Sequence, residues 1–296
     1  MSRSLGDAWP EWLREIDSLL AVHSQFVLSG NVRDRFRLPL DELPLADTIV
    51  GALEAALGRA GFAALIVHDI VDGYRLVAED REMAWAEAHS FTGEDLRSGR
   101  ADDLGMLARV VRSFALGGHQ RMGLVLDYAS RLATSVNDLL PAEHAFFTAC
   151  LKFSHEAVRH HDPAARRGAV YNPVFWIVER EHDLPAWLTA GNRGIRAVQV
   201  PLPGLADRED TAALLTVADS GDDRAHAAEQ LAIGTDGMTT ASLFDIATLF
   251  PDLGVPYADA EDAVRIYTFG AAESPWRRGA VAERLRTRDM EAVLSA

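Results

Sequence analysis

Five short runs of strand-forming residues constrain this chain more than any other feature. They are Phe26-Val27-Leu28-Ser29-Gly30, Ala63-Ala64-Leu65-Ile66-Val67-His68-Asp69, Gly123-Leu124-Val125-Leu126-Asp127, Pro173-Val174-Phe175-Trp176-Ile177-Val178-Glu179 and Ile195-Arg196-Ala197-Val198-Gln199-Val200. A continuous apolar run ending in polar residues fits a strand buried on both faces, as parallel strands are. Between the runs, apolar residues recur at helical spacing. Examples are Trp12, Leu13, Ile16 and Leu20, then Leu45, Ile49, Leu53 and Leu57, then Leu107, Val110, Val111 and Phe114, then Phe147, Cys150, Leu151 and Ser154. Strands alternating with helices over roughly 200 residues predict an α/β fold, with a parallel five-stranded sheet between helices.

After Pro203 the strand pattern stops. Residues 206–218, 223–233 and 240–250 read as short helices, with Thr239 or Thr240 as an N-cap. The expected division is an α/β domain over 1–205 and a small helical unit with a C-terminal tail over 206–296. Residues 33–44 and 79–103 read as loops, and 251–279 show little regular pattern. Residues 280–296 read as a charged helix with a narrow apolar stripe, suited to leading into a further domain. Val71-Asp72-Gly73-Tyr74 carries a hairpin signal.

Charge and composition narrow the function classes. The net charge of −15 argues against broad nucleic-acid binding, which rests on basic surface and counterion release. Arg33, Arg35 and Arg37, and again Arg284, Arg286 and Arg288, read as solvated faces. Cys150 is the only cysteine, so no internal disulfide forms. No apolar run approaches the ~20 residues of a membrane span, and a signal core is absent from the N-terminus. A cytoplasmic protein is expected. His155, His160, His161 and Asp162 match no zinc-ligand spacing. Lys152 is the only lysine, so a mechanism that needs one must use it.

In an open α/β sheet, ligands sit beyond the carboxyl ends of the strands, where strand order reverses. Ser29-Gly30-Asn31-Val32-Arg33-Asp34 lies at such an end, and so do Asp127 and Glu179.

With this order of elements the chain resembles the AAA+ ATPase family over about residues 9–250. The stretch from Asn172 to Arg208 carries most of the likeness. Val174 to Arg180, followed by Asp183-Leu184-Pro185, resembles the family's fourth strand and the turn after it. Leu202-Pro203 and Thr235-Asp236-Gly237-Met238-Thr239 resemble the approach to the helical lid and a turn inside it. The resemblance implies a P-loop NTPase-like fold with a lid, nucleotide binding with ATP and Mg²⁺ as cofactors, oligomers, and a role in protein remodelling.

Carried over residue by residue, the resemblance puts Ser29, Gly30 and Asn31 at the phosphate loop and Asp127 at the Mg²⁺-binding acid. It puts Glu179 at the sensor position and Arg193 and Arg196 at the arginine fingers, with Arg208 opening the lid. A phosphate loop reads Gly-x-x-x-x-Gly-Lys-Ser/Thr, with amides around the phosphates and a lysine on the terminal ones. Here one glycine stands and the lysine is absent, and Lys152 lies on a helix between the third and fourth strands. An arginine fork does not replace a compact ammonium, and Asp34 would repel phosphate. Tyr128 stands where an active enzyme has its water-polarising glutamate. Glu179 stands where Asn or Thr orients the water.

Three readings stay open at this stage. The first is a catalytically degenerate AAA+ module acting in assembly or regulation, partnered by copies of itself or by an active AAA+ ATPase. The second is a divergent, working ATPase. The third is an interaction scaffold whose crevice is filled by its own side chains, such as Arg33 or Phe36.

Overall fold

Neighbouring residues of each strand enter different cores. In β1 (Gln25–Gly30), Phe26 and Leu28 face one apolar cluster and Val27 faces another. In β4 (Ala64–Asp69), Leu65 and Val67 join the first, while Ala64 and Ile66 join the second. This is the period of two of an extended chain, with both faces covered. Helices α1 (Glu11–Leu19) and α2 (Ile49–Arg59) cover the first face. Helices α3 (Arg81–Thr92), α4 (Leu104–Leu116), α5 (Pro141–Glu156) and α6 (Ala186–Thr189) cover the second. The computed structural model describes residues 5–40, 45–78, 80–117, 121–160, 168–216, 224–253 and 260–269.

The five expected strands are present, and the sheet has a sixth. The remaining strands are β2 (Phe36–Arg37), β3 (Leu45–Ala46), β5 (Gly73–Val77), β6 (Met122–Leu126), β7 (Val174–Ile177) and β8 (Ile195–Val200). The large sheet runs β5-β4-β6-β7-β1-β8. All its pairings are parallel except β4 with β5, the hairpin closed at Asp69 and Gly73. The five expected strands are mutually parallel, and the hairpin signalled at Asp72-Gly73 adds one antiparallel edge strand. β2, inside the segment read as a loop, forms a separate two-residue ladder with β3, which takes up Leu45 from the repeat read as helical, and α2 begins only at Ile49.

Helix α3 also lies in a stretch read as loop. Its N-cap is Asp80, whose carboxylate accepts from the Met83 N–H, but its buried residues are only Ala84 and Ala88. Two alanines make a faint helical stripe. The cap and the Gly93 terminus, at φ 71°, carry more of its definition than periodicity does.

A buried polar thread ties β1 to β7 and α5. The Trp176 indole N–H donates to Gln25 Oε1 at 2.9 Å, and Gln25 Nε2 donates to the Cys150 carbonyl at 3.1 Å. Each buried polar atom named here has a partner, so the thread carries no desolvation penalty for an unmade bond.

Contacts divide the chain into two units, Met1–Leu202 and Pro203–Ala296. Among the described residues the second holds α7 (Leu205–Leu215), α8 (Arg224–Gly234), α9 (Thr240–Leu253) and α10 (Ala260–Phe269), around Ala212, Leu231, Ile246 and Ala263. Thr239 caps α9, its hydroxyl oxygen accepting from the Ser242 N–H at 3.1 Å. α10 falls where the sequence showed little pattern. The expected helix over 280–296 and the arginines at 284, 286 and 288 lie outside the described residues. No helix among the described residues is long and apolar enough to cross a membrane.

At the end of β4, the fully buried His68 donates from Nε2 to the Ala101 carbonyl at 2.9 Å. Its Nδ1 has no hydrogen-bond partner among the described residues. Burial pulls the imidazole pKa below the usual 6.5, against weaker upward pulls from the Ala101 carbonyl and Asp69. The folded protein keeps His68 neutral to a lower pH than the unfolded chain, which protonates it near pH 6.5. Stability should therefore be level above that pH and fall as pH drops below it. Urea unfolding across this range should show the slope, and His68→Leu should flatten it. An unchanged slope in the variant would contradict the assignment.

Candidate functional site

The order of the sheet brings the carboxyl ends of β6, β7, β1 and β8 side by side. β1 lies between β7 and β8, so the reversal of strand order falls at its end, which is the usual place for a ligand crevice. Ser29, Gly30 and Asn31 stand there, with Asp127 beyond β6 and Glu179 beyond β7.

The loop after β1 is closed upon its neighbours. The Gly30 N–H donates to the Glu179 carbonyl at 3.4 Å and the Asn31 N–H to the Val200 carbonyl at 2.9 Å. The Val32 N–H donates to the Gly30 carbonyl at 2.9 Å. Gly30 sits at φ 96°, and a Cβ there would lie 2.7 Å from the Val200 oxygen. Only glycine permits both the backbone angle and the close approach. The Asn31 side-chain amide donates to Asp34 at 2.7 Å and to the Pro201 carbonyl at 3.3 Å, holding the turn. The chain then enters β2, and the next helix is α2, which begins at Ile49.

Arg33 reaches across the crevice to Asp127. Its guanidinium donates to Asp127 Oδ1 at 2.6 Å and lies 3.7 Å from the centre of the Tyr128 ring. The Asp127 side chain is 12% exposed and that of Arg33 34%. Asp127 Oδ1 also accepts from the Tyr128 N–H at 2.8 Å. Tyr128 is the one non-glycine described residue with positive φ, 51°. Phe36, the other side chain considered for the crevice, is buried edge-on against Trp12, with ring centres 5.4 Å apart.

Glu179 pairs with Arg131 at 3.2 Å, and its N–H donates to Ser130 Oγ at 3.1 Å. Ser130 Oγ in turn donates to Asp183 at 2.9 Å. These bonds tie the turn after Asp127 to the end of β7.

A nucleotide phosphate needs free amides, a helix N-terminus and a compact cation. The residues at these strand ends do not fit that set. The first three amides of the loop serve protein carbonyls, no helix starts there, and the Mg²⁺-type acid holds an arginine.

The remaining sequence candidates lie elsewhere. Arg196 is at the opposite end of β8, level with Phe26, about 13 Å along the strand from Val200. It pairs with Glu15 of α1 at 2.6 Å. Arg193 lies just before β8, exposed, with no ion pair among the described residues. Arg208 is buried within the second unit, donating to the Ala232 and Pro203 carbonyls and pairing with Asp236. Lys152 pairs with Glu156 on α5. The structure thus joins Ser29, Gly30, Asn31, Asp127 and Glu179 and leaves Arg193 and Arg196 apart. Sequence reasoning missed Arg131 and the stacking role of Tyr128. Arg131 follows Asp127 by four residues, which is the only sequence signal for it. His161 and Asp162 lie outside the described residues.

Residues 3–201 match the family described as "AAA+ chaperone, N-terminal Rossmann-like domain". Among solved structures, the chain is similar to one in the E. coli MS115-1 HORMA:CdnC:Trip13 complex. That match has 16% identity and a TM-score of 0.46, covering 85% of this chain and 76% of the other. It is also similar to the FIGL-1 AAA domain, with 14% identity and a TM-score of 0.43, covering 85% of this chain and 75% of that one. Among the curated proteins none matches.

The Arg33 contacts set a measurable expectation. A partly exposed ion pair and a cation–π contact together suggest a loss of about 1 kcal/mol in Arg33→Ala. Arg33→Lys should recover less than half of it, since an ammonium cannot stack and fork together. Urea unfolding of the three proteins checks this, and full recovery by lysine would contradict the stacked geometry.

Proposed function

Because the chain belongs to the AAA+ chaperone N-terminal, Rossmann-like family, we propose that its α/β unit is a non-hydrolysing AAA+ module. On this reading it serves the assembly or regulation of an ATP-driven remodelling complex. The observation that carries the proposal is the Arg33 bridge to Asp127, laid over Tyr128 at the place of the phosphate loop. A tethered guanidinium supplies there the positive charge that a lysine and a metal ion supply in an active enzyme. The loop amides already bonded to Glu179, Val200 and Gly30 support the same reading.

The partners that follow are copies of this chain or an active AAA+ ATPase. An arginine reaching a neighbour's terminal phosphate can raise its rate about 10³–10⁵-fold, and a module without turnover of its own can keep that role. Arg193 is the better placed of the two finger candidates, because Arg196 is engaged by Glu15.

Two measurements test the proposal. Isothermal titration of the full chain with ATP and Mg²⁺ should show no saturable heat, and phosphate release should not exceed the blank. Saturable binding with turnover that Asp127→Asn abolishes would overturn it. In a mixed assembly with an active AAA+ partner, Arg193→Ala should lower the partner's turnover without changing the stability of this chain. An unaffected rate would remove Arg193 from the role.

A further inference from the structure

A groove of ≈ 780 Å³ opens between α2 and α3, at the end of the sheet away from the crevice. Its floor is apolar, formed by Leu57, Phe62, Leu65 and Val77. α2 contributes Gly51, Glu54, Ala55 and Leu57 to its lining, and the start of α3 contributes Met83, Ala84 and Glu87. Met83 stands on its wall, 58% exposed. An unbranched thioether at that place adapts to different apolar partners. β5 ends here as the edge strand of the sheet, bonded only to β4, and its outer edge carries no backbone hydrogen bond among the described residues. An open strand edge is a ready attachment point for another chain.

The charge lining the groove is mainly negative. Glu54, Asp80 and Glu87 line it, against Arg59 as the only cation of the lining. The Arg59 guanidinium lies 5.7 Å from the centre of the Trp9 ring. Glu87 is half-buried and has no ion pair among the described residues. A half-buried carboxylate beside an apolar floor gains from a cation that brings its own apolar neighbours. Phosphate-bearing surfaces, whether nucleic acid or anionic lipid, would meet repulsion from these acids.

We propose that the groove between α2 and α3 docks a protein segment carrying apolar side chains flanked by arginine or lysine. The segment lies along the open edge of β5, with its cations against Asp80 and Glu87. This surface is independent of the crevice at Asp127, so the proposal stands or falls separately from any role of that site.

The probe is a short fluorescein-labelled peptide alternating Leu and Val with Arg, titrated with the full chain and read by anisotropy. Two control peptides carry Glu in place of Arg, or Ser in place of Leu and Val. The Arg peptide should bind, and each control should bind about tenfold more weakly or less. Glu87→Arg and Met83→Ser should each weaken the Arg peptide, with unchanged urea midpoints showing that the fold survives. Glu229→Arg, on α8 of the second unit, makes the same change of charge elsewhere and should have little effect. Three results would overturn the proposal: no binding of the Arg peptide, equal binding of a control peptide, or equal weakening by Glu229→Arg. The last would mean that the overall acidic charge, rather than the groove, attracts the peptide.

Discussion

Strand β1 is bonded on both sides by strands that the chain forms much later, with Gln25 level with Val174 on one side and Ile195 on the other. Its carboxyl end therefore emerges between two backbones, and the following residues must come to terms with both. Gly30 does so at a positive φ, with no side chain to collide with the Val200 carbonyl. The amides of Gly30 and Asn31 then turn to the carbonyls of Glu179 and Val200. Once those bonds form, these amides are turned to protein carbonyls, and the chain continues into the β2–β3 ladder. The missing phosphate cradle is thus a consequence of backbone pairing as well as of a missing lysine.

Charge at the strand ends is balanced internally. Arg33 meets Asp127 and Arg131 meets Glu179, while the neutral amide of Asn31 donates a hydrogen bond to Asp34. Arginine suits the first of these because its flat guanidinium can fork toward a carboxylate and lie on a ring together. Tyr128 supplies the ring from an αL backbone conformation that a tyrosine rarely adopts. Such a conformation is kept only when its surroundings hold it. Here the Asp127 carboxylate accepts the Tyr128 N–H, and the Asp127 N–H donates to the carbonyl of His68. On the proposed reading, function comes from the shape of the module, with the polar groups at its strand ends paired to one another.

The sheet was legible in sequence because strands buried on both faces leave unbroken apolar runs, and the runs ended where Gly30, Asp127 and Glu179 stand. β5 was legible only as an Asp-Gly turn, and it became the antiparallel edge strand of the large sheet. The α3 helix was hidden by its alanines, and β2 and β3 by their length of two residues each. At the site, the place of the loop and the identity of Asp127 could be read, and Arg33 could be named as one side chain able to fill the crevice. The pairings of Arg33 with Tyr128 and of Arg131 with Glu179 could not, since they depend on how β6 and β7 lie together. Phe36, equal to Arg33 on sequence, is taken instead by the core around Trp12.

The central claim is that protein carbonyls already hold the amides a phosphate would need. Residue-resolved hydrogen exchange at Gly30, Asn31 and Val32, with and without ATP and Mg²⁺, tests it directly. The account predicts slow exchange at all three amides in the free protein and no change on adding nucleotide. Fast exchange in the free protein that becomes protected with ATP and Mg²⁺ would contradict it.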